Sequence, residues 1–135
     1  MKNINRTNPG KRKQLGPIII FFLVTIFGCD LIFEEDLSDD RLNIISPQDN
    51  YQTTESEITF WWEFISDAMD YNLQIVTGDF STPKSLIIDT TITSNKFTLN
   101  LNPGIYQWGV SALNGYSQTD YIVSSLVVID TRAIN

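Results

Sequence analysis

The chain has 135 residues, 42% of them apolar, with a formal net charge of −7, a single cysteine and no histidine. The missing histidine excludes Ser-His-Asp and Cys-His catalysis and every histidine metal site, leaving carboxylate chemistry or calcium as the only site chemistry available. The acidic balance argues against a nucleic-acid partner, because phosphate backbones are held by Lys and Arg.

Residues 1–14 carry Lys2, Arg6, Lys11, Arg12 and Lys13 and no acidic residue, the pattern of a secretion-signal n-region. The apolar run Leu15 to Phe27 then fits an h-region of about 7 to 15 residues and falls short of the roughly 20 needed for a membrane-spanning helix. Thr25 to Asp30, TIFGCD, follows and holds the only cysteine. Three readings of Cys29 compete: a core thiol, a nucleophile, or a site of covalent processing. Ile26, Phe27, Gly28 and Cys29 resemble the lipobox of bacterial lipoproteins, although Phe27 is bulkier than the commonest pattern. The resemblance implies cleavage of the signal peptide 1–28 and palmitate-type acylation of Cys29, tethering the chain to a membrane of the cell envelope. The alternatives are an uncleaved anchor and a free buried thiol. Several acyl chains give stable attachment, each buried CH₂ contributing about 0.8 kcal/mol.

Removing residues 1–28 leaves 107, enough for one small domain, and leaves four basic residues against all sixteen acidic ones, a formal balance of −12. Residues 29–41, which include DLIFEEDLSDDR, read as a lipidated, solvated acidic tether. The same acidic residues resemble an export address for the surface of the outer membrane in Bacteroidetes-type bacteria, whereas an aspartate at Asp30 favours inner-membrane retention elsewhere. An outer-membrane location is the expectation, with the surface and periplasmic faces both open.

From Leu42 the chain reads as extended segments: Leu42 to Ser46, Glu57 to Phe64, Tyr71 to Thr77, Ser85 to Thr91, Lys96 to Leu101, Ile105 to Leu113 and Ile122 to Asp130. Pro47, Asp49-Asn50, Gly78, Pro83, Asn95, Pro103-Gly104 and Asn114-Gly115 punctuate them. Seven strands at this spacing predict an all-β sandwich over residues 42–131, with a short C-terminal tail, 132–135. Alternation sends Ile58, Phe60, Trp62 and Phe64 inward, with Tyr71, Leu73, Ile75, Phe97, Leu99, Leu101, Tyr106, Trp108, Val110 and Ala112. The last strand is apolar on both parities; Leu126 and Val128 are taken as inward. No disulfide is available, so this aromatic-rich core must hold the domain unaided.

The segment Leu99 to Tyr106, LNLNPGIY, resembles the corner between the fifth and sixth strands of fibronectin type III domains. The resemblance makes Leu101, Pro103, Gly104 and Tyr106 a structural tyrosine corner, the ring in the core and its hydroxyl bonded back to the backbone near the turn. Trp62 and Tyr71 also match, and the whole resembles the extracytoplasmic immunoglobulin-like domains of Bacteroidetes lipoproteins. It implies an adhesive, spacing or ligand-binding module, not an enzyme.

Function must then lie in what points outward. Trp61 alternates with Trp62 and should present a solvent-facing indole, a platform for a sugar ring or an apolar partner, unless the tether or a bulge covers it. The loop Leu113 to Tyr121 offers Tyr116, Gln118, Asp120 and Tyr121, of which Tyr116 and Tyr121 are the candidate ligand-binding residues. Phe80 is a further candidate on the turn after the third segment. Asp67 and Asp70 match no complete calcium loop, and Glu63 has no identifiable carboxylate partner in a domain too small for an enclosed cleft. No catalytic residue, metal or cofactor is expected. The chain reads as an anchored binding or adhesion module for a glycan or for an envelope or host protein, the alternative being a structural subunit of an envelope complex.

Overall fold

A computed structural model describes Gly10 and residues 35–133 of the chain. Residues 1–9, 11–34 and 134–135 lie outside the described residues, and with them the expected lipobox Ile26 to Cys29. The chain divides into a unit Met1–Phe33 and a unit Glu34–Asn135; the second is described below.

Eight strands run in chain order: β1 (Ile44–Ser46), β2 (Tyr51–Thr53), β3 (Glu57–Trp62), β4 (Asp70–Gly78), β5 (Pro83–Ile92), β6 (Lys96–Asn100), β7 (Gly104–Leu113) and β8 (Ile122–Val128). They form a sandwich of a three-stranded sheet, β1-β3-β6, and a five-stranded sheet, β2-β8-β7-β4-β5. Every pairing is antiparallel except β2 with β8. A period of two decides the faces, since successive side chains of a strand point oppositely. Ile58, Phe60 and Trp62 of β3 meet Tyr71, Leu73 and Ile75 of β4, Tyr106, Trp108, Val110 and Ala112 of β7, and Leu126 and Val128 of β8 in one buried core. Its centre is aromatic: the Phe60 and Trp108 centroids lie 5.0 Å apart at 68°, and Trp62 lies 5.5 Å from Tyr71. Such edge-on and tilted pairs add to plain area burial. Neither the Trp62 nor the Trp108 indole N–H meets a hydrogen-bond acceptor among the described residues.

The strand count departs from the seven expected. The addition is β2, three residues without apolar alternation, which pairs through Tyr51↔Leu126 and Thr53↔Val128. The turn before it is built by the expected Asp49-Asn50 pair. Asn50 takes φ +62°, a left-handed conformation that asparagine tolerates, and Asp49 Oδ1 accepts from the Ser125 N–H at 2.8 Å, carrying the chain from one sheet to the other.

Phe64 is a second correction. Alternation places it inward, but β3 ends at Trp62 and Phe64 is 67% exposed. The Tyr71 hydroxyl accepts from the Ile65 N–H at 2.9 Å and Ala68 N donates to Ile65 O at 3.2 Å, so the chain turns away from the sheet before Phe64 can continue its face.

The tether departs most. Of residues 29–41, those described are not a free leash: Leu37 opens a 3-10 turn, Leu37–Asp39, and is fully buried in the core. Its N–H donates to Ser117 Oγ at 2.7 Å, and Asn114 Nδ2 donates to Glu35 O at 2.7 Å. An apolar side chain in an acidic segment gains more from burial than its neighbours lose in water, since their carboxylates stay exposed. The folded unit therefore extends upstream of Leu42 to about Glu35, ahead of the first strand at Ile44.

Candidate functional site on the outer face of the five-stranded sheet

Because Tyr71, Leu73 and Ile75 face the core, β4 turns Asn72 and Gln74 outward. Register sets Asn72 opposite Thr91 and Gln74 opposite Asp89 on β5, with Ser111 and Gly109 opposite them on β7. Asn72 Nδ2 donates to Asp89 Oδ1 at 3.0 Å and to Thr91 Oγ1 at 3.3 Å, and Gln74 Nε2 donates to Asp89 Oδ2 at 3.2 Å. Tyr121, from the loop before β8, donates its hydroxyl to Asn72 Oδ1. Asp89 is thus met on both oxygens by neutral amides, and no cation pairs with it among the described residues. The row Tyr121, Asn72, Asp89, Gln74 offers a hydroxyl, amides and a carboxylate side by side, next to an aromatic ring.

The loop carrying Tyr121 is held in shape from below. Asn114 Oδ1 accepts from the N–H groups of Tyr116 and Ser117 at 3.1 and 3.0 Å. Gln118 Nε2 donates to Ser111 Oγ at 2.8 Å, and the buried Thr119 exchanges bonds with the Ala112 backbone. A contact surface fixed this way loses little conformational entropy when it binds.

Further along the same face the turn after β4 folds back over the sheet. Asp79 Oδ1 accepts from the N–H groups of Ser81 and Thr82 at 2.9 and 2.8 Å and from the Ser81 hydroxyl. The Ser81 hydroxyl and the Thr82 N–H hold the Asp79 carboxyl below the usual carboxylate range. Phe80 N donates to Gln107 Oε1 at 3.0 Å, and its ring edge lies 3.5 Å from where a Cβ on Gly109 would stand. Phe80, the further candidate on this turn, is therefore half-buried against the sheet, in space that a larger residue at 109 would fill. Beyond it lies an open groove of about 540 Å³ lined by Thr77, Asp79, Lys84, Ile105, Gln107 and Ser125.

The other three aromatic candidates, Trp61, Tyr116 and Tyr121, do not share one surface. Trp61 stands on the outer side of the other sheet, paired with Lys96, whose Nζ sits 3.9 Å from the ring centroid, so a cation already occupies one face of the indole. Tyr116 is 78% exposed at the loop tip, while Tyr121 lies down against Asn72. Asn72, Gln74, Asp89 and Thr91 were not singled out in the sequence. The polar parity of YNLQI held the signal for the first two, but the pairing with Asp89 depends on register. At the corner, Tyr106 Oη donates to Asn102 O at 2.7 Å, and its ring lies 3.2 Å from a would-be Cβ of Gly104. Among the described residues no three acidic or cysteine side chains converge as a metal site.

Neither a protein-family model nor a curated protein matches the chain. Among solved structures, the fibronectin type III domain of the human collagen alpha-1(XX) chain aligns at 11% identity and a TM-score of 0.51, over 70% of this chain and 91% of that domain. A fibronectin(III)-like module of Clostridium thermocellum CbhA aligns at 8% identity and a TM-score of 0.49, over 67% of this chain and 98% of the module. Identities this low speak to fold alone: the folded unit is a fibronectin type III-like sandwich.

Proposed function

We propose that this chain is a lipid-anchored protein of the bacterial envelope whose sandwich is a non-catalytic glycan-binding module. The binding surface is the outer face of the five-stranded sheet. One observation carries this reading: the hydrogen-bonded row of Tyr121, Asn72, Asp89 and Gln74 at the surface. Sugar hydroxyls need donors and acceptors close together, and the C–H faces of a sugar ring stack on an aromatic side chain. The amides already orient the carboxylate, so a ligand finds its acceptor in place. Domains of this fold are typically non-catalytic, which fits a module that recognises rather than transforms. The leader and the Ile26-Phe27-Gly28-Cys29 block support the anchor.

Two measurements test the two halves. The purified chain on a glycan array should bind a subset of sugars, with affinity falling tenfold or more in Asp89→Ala and in Tyr121→Ala; binding untouched by both substitutions removes this face. Cys29→Ser should abolish lipid labelling and release the chain from the membrane fraction; persistent labelling removes the anchor. The second reading, a structural subunit, draws on β5, an edge strand with Leu86 and Ile87 exposed. Stoichiometric co-purification of an envelope protein, lost when those two residues become polar, would favour it.

A further inference from the structure

The docked segment fixes which end of the sandwich the anchor can reach. Six peptide steps separate Cys29 from Glu35, so even fully extended that chain spans only about 20 Å. At Glu35 it is already bonded to Asn114, and two residues later Leu37 is buried and bonded to Ser117. The chain therefore enters the sandwich at the 114–117 loop. The loop between β3 and β4 lies at the same end, where Met69 N donates to Leu113 O at 2.9 Å. These two loops expose Phe64 at 67%, Met69 at 65% and Tyr116 at 78%. Leu86, Ile87, Ile105 and Val123 are also exposed, but on strands of the five-stranded sheet; these three stand on loops at the end where the chain from Cys29 enters.

We propose that this tip rests on the surface of the membrane that holds the lipid anchor, with Phe64, Met69 and Tyr116 seated among the headgroups. The inference rests on the lipid-anchor reading of Cys29. Given that anchor, chain length keeps the tip within about 20 Å of the bilayer, and aromatic side chains favour the interface between headgroup and hydrocarbon. Asp36, Asp39, Asp67 and Asp70 near the tip oppose deep insertion and favour zwitterionic over anionic headgroups. The opposite end, with the 54–56 and 79–82 turns, points away from the membrane. The outer face of the five-stranded sheet then stands upright, its groove by Asp79 and Lys84 farthest from the lipid.

Lipidation leaves Cys29 without a free thiol, so one introduced cysteine can carry a fluorophore. Ser66→Cys marks the tip and Glu55→Cys the far end. Each chain, purified with its anchor and reconstituted in phosphatidylcholine and phosphatidylethanolamine vesicles, is read by quenching from headgroup-attached nitroxide lipids. Quenching at 66 should exceed that at 55 severalfold and fall when Phe64, Met69 and Tyr116 are changed to serine. Equal quenching at both positions, or none at 66 in a chain whose mass confirms acylation, overturns the proposal and leaves the anchor standing. A mass showing an intact, unacylated leader overturns the anchor and this inference with it.

Discussion

The Tyr106 hydroxyl donates to Asn102 O at 2.7 Å, closing the corner between β6 and β7. Tyr106→Phe keeps the ring in the core and loses that bond, so stability should fall by about 1 to 3 kcal/mol in urea titration; an unchanged midpoint would show the bond contributes nothing. Burial also pushes the phenol pKa above its ordinary value. The folded state then favours the protonated ring, and the associated stability is complete below about pH 10 and lost as pH rises through the folded-state value. The Phe variant lacks that alkaline loss, so the gap between the two proteins should narrow above pH 10. Phe60 and Phe64 make a sharper contrast at the same scale, because alternation alone treats them alike. Phe60→Ala opens a fully buried aromatic cluster and should cost about 3 to 5 kcal/mol. Phe64→Ala touches solvent and should stay within about 0.5 kcal/mol. Similar losses at both would return Phe64 to the core.

At the scale of elements, the docked 3-10 turn is the part that local reasoning does not reach. Leu37 is one apolar residue among acidic ones, and the residues that hold the segment, Ser117 on Leu37 and Asn114 on Glu35, lie some eighty positions away. Leu37→Ala should destabilise the fold by about 2 to 5 kcal/mol, the range for emptying a buried leucine site, whereas a solvated tether would show no change in a urea titration. The same logic separates what was legible from what was not. β3, β4 and β7 announce themselves because each carries a long run of alternating large apolar residues, and a period of two over six or more residues has no helical reading. Their turns are marked by residues with a physical reason to be there, as Asn50 is at φ +62°. β2 has only three residues and exists because β8 offers it a partner, a fact about tertiary pairing. The candidate face was half visible. Asn72 and Gln74 read as outward, but Asp89 joins them only through the register of β4 on β5, and a bulge near Ile75 makes that register unavailable from spacing. Trp61 reads outward correctly in parity, while Lys96 on its ring is again a matter of pairing.

For the molecule as a whole, charge sets a cost that the core must exceed. Residues 29–135 hold all sixteen acidic residues of the chain against Arg41, Lys84, Lys96 and Arg132. Of these cations, Lys96 lies over Trp61, and the one ion pair among the described residues is Arg132 with Asp130 at 3.3 Å, both exposed. An exposed pair contributes at most about 1 kcal/mol, so the other carboxylates among the described residues repel one another with no paired cation to offset them. At about 0.01 M salt the screening length is roughly 30 Å, comparable to the domain itself, and repulsion is felt across the whole surface; at 0.1 M it is about 10 Å. Folding concentrates these charges relative to the open chain, so screening should favour the folded state. Raising sodium chloride from about 0.01 to 0.5 M should lift the Tm by several degrees, since 1 kcal/mol corresponds to about 4 to 8 °C for domains of this size. Chloride is the suitable anion, because sulfate would strengthen apolar burial by exclusion and raise the Tm for a different reason. A Tm that falls with sodium chloride would mean that the attractive contacts, Lys96 on Trp61 and Arg132 on Asp130, outweigh the repulsion among all the carboxylates.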